Sequence, residues 1–262
     1  MQTAACPRFH SFCSHFSMPG YDFRSPRLYV ESPLEKGVRV ALEAAQAHYL
    51  ATVLRLKSGS RVLLFNGRDG EWSAALTLLR RTAIVDVGAQ TRPQTSPADL
   101  HYLFAPLKAA RLDYMVQKAV EMGVSRLQPM LTRHGQVARV NTERMRANAI
   151  EAAEQCGILS LPEIEAPIAF ARLIAERDPA RRLVFCDEDA EVSDPVAALR
   201  GLPPSPLAVL IGPEGGFAED ERAALLKLPN VLRLSLGPRI LRADTAAVAA
   251  LTLVQALIGD WR

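Results

Sequence analysis

The stretch LAVLIGPEGGFAEDE, residues 207–221, decides the fold. Leu207, Ala208, Val209, Leu210 and Ile211 form a short apolar run, which reads as a parallel strand buried on both faces. It runs straight into Gly212, Pro213, Glu214, Gly215 and Gly216. Glu219, Asp220 and Glu221 then open a helix, where acids meet the positive end of the helix dipole. The same device recurs in VLRLSLGPRILRADTA, residues 231–246, in which a strand through Leu236 ends in Gly237-Pro238 and a helix follows. In open α/β sheets ligands sit at this carboxyl edge, and glycine lets them approach the main chain closely. The two loops are expected to form the two lips of one pocket.

Working outward, strands alternate with longer helices over residues 100–258. Strands are expected at 100–105, 126–131, 183–186, 207–211 and 231–236, and helices at 111–122, 141–156 closed by Gly157, from Ala218, and at 246–258. This alternation predicts an α/β domain with a largely parallel sheet. Before it, residues 92–98 (RPQTSPA) carry two prolines and read as a linker, placed at 93–98. Residues 20–92 hold short β-branched runs at 27–30, 37–42, 61–66, 71–79 and 83–87, punctuated by Asn66-Gly67 and Asp69-Gly70, the pattern of a small β-barrel. Residues 43–55 read as an inserted helix with Ala47, Leu50, Val53 and Leu54 on one face. Residues 1–19 show neither period and no secretion signal, so a disordered leader is expected.

The 262 residues are 49% hydrophobic and 23% charged, the balance of a globular chain with a real core. No apolar run reaches the roughly 18 residues that a membrane span needs. Four scattered cysteines give neither a disulfide framework nor a zinc site, and five histidines have no ligand spacing, so no metal is expected and a cytoplasmic home fits. Residues 20–92 carry eleven Lys/Arg against seven Asp/Glu, and residues 93–150 eight against four. In residues 151–262 the balance reverses to eleven against seventeen. Such asymmetry suits a chain whose first half meets a polyanion. GxGxxG, Walker, GxSxG and HExxH motifs are all missing.

LIGPEGGFAEDE and LSLGPRILRADTA together resemble the paired signatures of the bacterial 16S ribosomal RNA uracil-N3 methyltransferase family, in the SPOUT class. KAARLDYMVQKAVEMGVSRLQPM (108–130), EAAEQCG (151–157) and HYLATVLRLKSGSRVLLFNGRDGEW (48–72) resemble the same family. The resemblance implies a PUA-like RNA-binding β-barrel at 20–92 followed by a SPOUT trefoil-knot methyltransferase domain at 99–262. It also implies S-adenosylmethionine as cofactor, a homodimer, and 16S ribosomal RNA or the small ribosomal subunit as partner. The cofactor pocket then comprises residues 212–216, Gly237, Arg242 and Thr245, with apolar Leu210, Leu234, Leu236, Ile240 and Leu241 around the adenine.

Arg242 is the expected cation beside the uracil carbonyl oxygens, favouring the uracil anion. Asp244 or Glu214 is the candidate proton acceptor. Arg24 and Arg27 of the barrel, with Arg111, Lys118 and Arg126, are the expected RNA contacts. Two departures stand out: Ala243-Asp244 replaces the family's Thr-Glu, and Ile158 replaces a common Arg, for which Arg126 or Arg133 is the expected substitute. Two other readings stay open, a non-catalytic RNA-binding dimer and a knotted methyltransferase acting on another RNA such as transfer RNA. The final helix is apolar on more than one face (Ala247, Val248, Ala250, Leu251, Val254, Leu257), which points to a dimer.

Overall fold

Alternation of buried and exposed side chains along Glu71–Leu78 puts Ala74 and Leu76 on one face of a strand, and that face nucleates the first core. The computed structural model describes residues 22, 24–80, 82–190, 194–203 and 205–261; the expected leader at 1–19 lies outside the described residues. The first sheet contains β1 (Arg27–Tyr29), β2 (Arg39–Ala41), β3 (Arg61–Phe65), β4 (Glu71–Leu78) and β5 (Ala83–Arg92) in the order β1-β3-β4-β5-β2. Its β1–β3 pair is parallel and the others are antiparallel. Between β3 and β4 the Asn66 side chain accepts from the backbone N–H of Arg68 and Asp69, closing the turn. Gly70 follows at φ 81°, and a Cβ there would fall 2.4 Å from the Arg92 carbonyl oxygen.

The helix expected at 43–55 is shorter and wider. It is α1 (Ala44–His48) continued by a π-helical turn at Tyr49–Val53. Ala47 and Leu50 are buried as expected, but Val53 is 59% exposed and Leu54 is also open to solvent. The wider π turn rotates Val53 and Leu54 off the buried face, and Arg55 at a left-handed φ of 53° then redirects the chain so that Leu56 packs on the first core.

The second sheet is built from β6 (Leu100–Phe104), β7 (Arg126–Leu131), β8 (Glu163–Ile164), β9 (Ile168–Ala169), β10 (Arg182–Cys186), β11 (Leu207–Ile211) and β12 (Val231–Leu234). Its order is β12-β10-β11-β6-β7-β8, with β9 beside the end of β7, and every pair is parallel. On one face lie α2 (Ala109–Glu121), α3 (Thr142–Cys156), α5 (Pro195–Arg200) and α7 (Ala243–Leu257), packed on Tyr102, Phe104, Val184, Val209 and Ile211. On the other lie α4 (Phe170–Glu176) and α6 (Glu219–Leu226), against Leu103, Phe185 and Leu210. Successive residues of β11 thus enter opposite cores, which is why its whole sequence is apolar. Gly157 ends α3 at φ 67° as expected, whereas Asn141, read as the first helical residue, is its cap and accepts from Arg144 N.

The two sheets are joined by a buried ion cluster. Arg27 Nε lies 2.7 Å and Arg92 Nη2 2.6 Å from Glu71 Oε2, and these arginines also donate to the carbonyls of Glu154 and Gly157 at the end of α3. Tyr29 N donates to Glu154 Oε1, and burial pushes the Glu154 carboxyl up to about 7. This corrects the expectation for Arg27: its side chain is 4% exposed and committed to Glu71, so it is not presented to a phosphate.

Candidate active site

β10, β11 and β12 are neighbours in the parallel sheet, so the loops leaving their carboxyl ends converge. They enclose a cleft of about 390 Å³, a size that suits a nucleoside-sized ligand. Gly212, Pro213, Glu214, Gly215 and Gly216 form one lip, and Leu236, Gly237, Ile240 and Leu241 lie on the other, with buried Leu234 also in the lining. A Cβ on Gly212 would come within 2.6 Å of the Phe217 ring, which packs on Phe170 and Phe185. Gly237 takes φ of 103°, a region that strains any side chain. The sequence-predicted lips are therefore brought together.

Two apolar expectations need correction. Leu210 points into the core with Phe185 and Leu225, on the α4 and α6 face, and lines no part of the cleft. Ile240 sits on the lip but is 90% exposed, so it forms no packed wall. Arg242 and Thr245, both expected in the pocket, are exposed and outside the cleft lining, and the Thr245 N–H donates to Asp244 Oδ1.

The third wall escaped the sequence reading. After β10 come Asp187, Glu188 and Asp189, all lining the cleft. Buried Asp187 accepts from Arg222 and Arg233, at 2.9 Å each, which fixes this loop. The signal was present, since LVFC followed by DED is another apolar run ending at the same sheet edge.

Electrostatics redistribute the remaining roles. Arg111, on α2, donates from Nε and Nη2 to the two oxygens of Asp244 at 2.9 and 3.1 Å, and from Nη1 to Glu214. It therefore ties the first lip to the start of α7. The Arg111 hydrogen bonds hold the Asp244 carboxyl below the usual carboxylate range, so Asp244 is a poor proton acceptor, and Glu214 is engaged by the same guanidinium. Arg111 is not a free RNA contact. Lys118 is paired with Glu121, and Arg126 with Glu163. Ile158 packs on the main core, and Arg133 is paired with Asp220, so neither expected substitute cation is free. Arg24 is exposed.

Arg242 is different. It is the residue before the first turn of α7, is exposed, and makes no ion pair or side-chain hydrogen bond among the described residues. Lys108, Arg139 and Arg239, on the loops after β6, β7 and β12, share that property. Apart from Arg200 and Lys227 at the ends of α5 and α6, the other described cations of this domain have side-chain partners, so four of its unpaired cations gather at the carboxyl edge of the sheet. The loop after β7 also reaches the first lip, since His134 Nδ1 lies 3.2 Å from Gly216 O and Arg133 N donates to Glu221. No cluster of metal-ligating side chains occurs among the described residues.

An RNA methyltransferase domain model matches residues 94–255, and an RNA methyltransferase PUA domain model matches residues 42–87. The chain is similar to ribosomal RNA small subunit methyltransferase E of Rickettsia conorii, 31% identical over 88% of this chain and 95% of that one. The protein of that name from Buchnera aphidicola (pea aphid strain APS) is 27% identical over 90% and 95%. Among solved structures, the Neisseria gonorrhoeae ribosomal RNA small subunit methyltransferase E bound to S-adenosylmethionine superposes with a TM-score of 0.80. It is 25% identical, over 91% of this chain and all of that one. A Legionella pneumophila methyltransferase in complex with the same cofactor gives 0.76 at 28% identity, over 89% and 98%.

Proposed function

The chain belongs to the RNA methyltransferase family of ribosomal RNA small subunit methyltransferase E, with its SPOUT and PUA architecture, and from that premise we propose that it methylates ring nitrogen 3 of one uridine in 16S ribosomal RNA. It is an S-adenosylmethionine-dependent enzyme. The observation that carries the reading is the convergence of two glycine loops on one cleft, with unpaired Arg242 next in sequence to two residues of its lining, Leu241 and Ala243. The cleft fits the cofactor. Apolar Leu234, Leu236 and Leu241 offer a wall to a purine, the glycine lip offers bare main chain, and Glu188 and Asp189 offer acceptors to ribose hydroxyls or an amino group. When bound, the cofactor supplies an electrophilic methyl group.

This chain's residues do the rest. The uracil N3–H lies on the pairing edge and is protonated at neutral pH, so the base must leave its partner and lose that proton. Arg242 stabilises the resulting charge on the uracil oxygens. With Asp244 and Glu214 held by Arg111, the proton leaves to solvent. Residues 20–92 dock RNA through exposed Arg24, residues 93–98 link, and residues 99–262 carry the chemistry. A homodimer completes the reading, because Val248, Ala249, Thr252 and Leu253 of α7 remain only half-buried in the single chain. No helix among the described residues is long and apolar enough to cross a membrane, and the site of action proposed is the cytoplasm.

The test is to incubate the protein with methyl-labelled cofactor and either naked 16S RNA or small subunits, then digest to nucleosides. Label is expected in 3-methyluridine alone; label on a ribose, on another base, or only with transfer RNA overturns the assignment. Arg111→Ala is expected to weaken cofactor binding about tenfold in calorimetry, because the lips lose partly exposed charge-assisted bonds of modest strength. The salt dependence of RNA binding should be unchanged, whereas a reduced salt slope would return Arg111 to the RNA contacts.

A further inference from the structure

Residues 235–242 connect β12 to α7 across the mouth of the cleft. Leu236 and Leu241 turn inward and pack against the main core. Ile240, between Arg239 and Leu241, turns the other way. At 90% it is the most exposed large apolar side chain among the described residues, well beyond Val53 at 59%. Gly237 at φ 103° and Pro238 set the turn that carries it outward. Its neighbour Arg239 and the nearby Arg242 are both without partners. Lys108, also unpaired, stands one helical turn before Arg111, which grips Asp244 at the start of α7. The loop tip thus carries one apolar side chain between two unpaired arginines in sequence, Arg239 and Arg242.

We propose that Ile240 is a wedge that enters the RNA stack where the target uracil leaves it, with Arg239 holding the adjacent phosphate. The inference rests on the N3 reading above, since a nitrogen on the pairing edge is reached only when the base is displaced. Branched aliphatic side chains, isoleucine included, serve as wedges between base steps in other nucleic-acid-binding proteins, where insertion offsets part of the unstacking cost. The division of labour follows from spacing. Ile240 fills the gap, Arg242 two residues on meets the expelled base, and Arg239 meets the backbone. An RNA partner is favoured over a second protein surface by charge. Covering Ile240 with an apolar protein face would desolvate Arg239 and Arg242 without partners, whereas a phosphate chain supplies a partner for each.

The experiment compares full-length wild type with Ile240→Ala on RNA containing the mapped uridine, in two forms: the uridine paired, and the uridine left unpaired opposite an abasic site. On the paired form kcat/KM of Ile240→Ala is expected to fall by roughly 10- to 100-fold, and on the unpaired form to recover to within about threefold of wild type, the base having already left its partner. 2-Aminopurine placed beside the target should brighten on binding wild type and stay dim with Ile240→Ala. Calorimetric affinity for S-adenosylmethionine and mass by light scattering should be unchanged. An equal loss on both RNAs, weaker cofactor binding or an altered mass overturns the wedge in favour of a cofactor or subunit contact. So does full activity of Ile240→Ala on paired RNA. If wild type itself makes no 3-methyluridine on either RNA, the functional reading has failed instead, and the 2-aminopurine signal still reports on the wedge.

Discussion

Arg242→Ala is expected to lower kcat by roughly 100- to 1000-fold, the usual loss when a preorganised group that meets developing charge is removed. RNA affinity should change by less than about threefold, because one cation among several at the sheet edge is lost. The expectation follows from the unpaired state of this guanidinium at the start of α7. Of the arginines packed against the cleft loops, Arg111 is engaged by Asp244 and Glu214, and Arg222 and Arg233 by Asp187, whereas Arg239 shares the freedom of Arg242 but sits on the far side of Ile240 from the start of α7. A guanidinium already satisfied by carboxylates has little left to give a uracil anion; Arg242, exposed and without a partner, has all of its donors available. Single-turnover kinetics with saturating cofactor separate the outcomes. A fall in the chemical step with KM unchanged supports the assignment, and near-normal turnover removes Arg242 from the chemistry.

The loops of this site were legible because each follows an apolar strand and begins with Gly-Pro, a local pattern that reports a sheet edge directly. What was not legible is pairing across the fold. Arg111 and Asp244 are 133 residues apart, and the sequence shows two charges with nothing to say that they meet. The same blindness explains the RNA contacts. A cation on a polar helix face or at a strand end looks available, yet Arg27, Lys118 and Arg126 each have a carboxylate partner. Lys108, Arg139 and Arg239, which have no such partner and lie at the sheet's carboxyl edge, drew no attention because nothing local distinguishes them.

The fold was read well where elements were long. The helices at 109–121 and 142–156, with their apolar period and their Asn141 and Gly157 ends, and the strand at 207–211, all stand where expected. The short pieces were missed. α4 and α5 span seven and six residues, about two turns, too few for a 3.6-residue period to emerge. α5 did carry a readable start, since Asp194 accepts from the N–H groups of Val196 and Ala197 with Pro195 in the first turn. The joint between the sheets was invisible for a different reason: Arg27 and Leu28 are consecutive and both buried, because β1 lies between its own core and α3, so strand alternation gives the wrong answer for Arg27.

That joint makes Glu71→Gln strongly destabilising, with an expected cost of about 3–5 kcal/mol. Glu71 is opposed by burial, but hydrogen bonds from Arg92, Arg27 and Thr91 outweigh it and hold its carboxyl below the usual range. Glutamine keeps the shape and removes the charge, leaving two buried guanidinium groups facing a neutral amide. One of their nitrogens, Arg27 Nη2, already lacks a partner, so the cluster has no spare acceptor to offer. The depressed carboxyl also gives wild type a pH signature. Its contribution is complete above the ordinary carboxylate range and is lost as pH falls through the lower folded value, whereas Glu71→Gln should have lost it at every pH. Urea denaturation at neutral and acidic pH measures both effects, and the stability gap between the two proteins should narrow toward acid. Replacing Arg27, Glu71 and Arg92 together by methionine, leucine and methionine should recover much of the loss, because the cost lies in uncompensated charge rather than in missing attraction. A loss below about 1 kcal/mol in Glu71→Gln, or a triple variant no more stable than the single one, would show that water reaches this cluster and that the sheets are held by the apolar contacts around Phe65 instead.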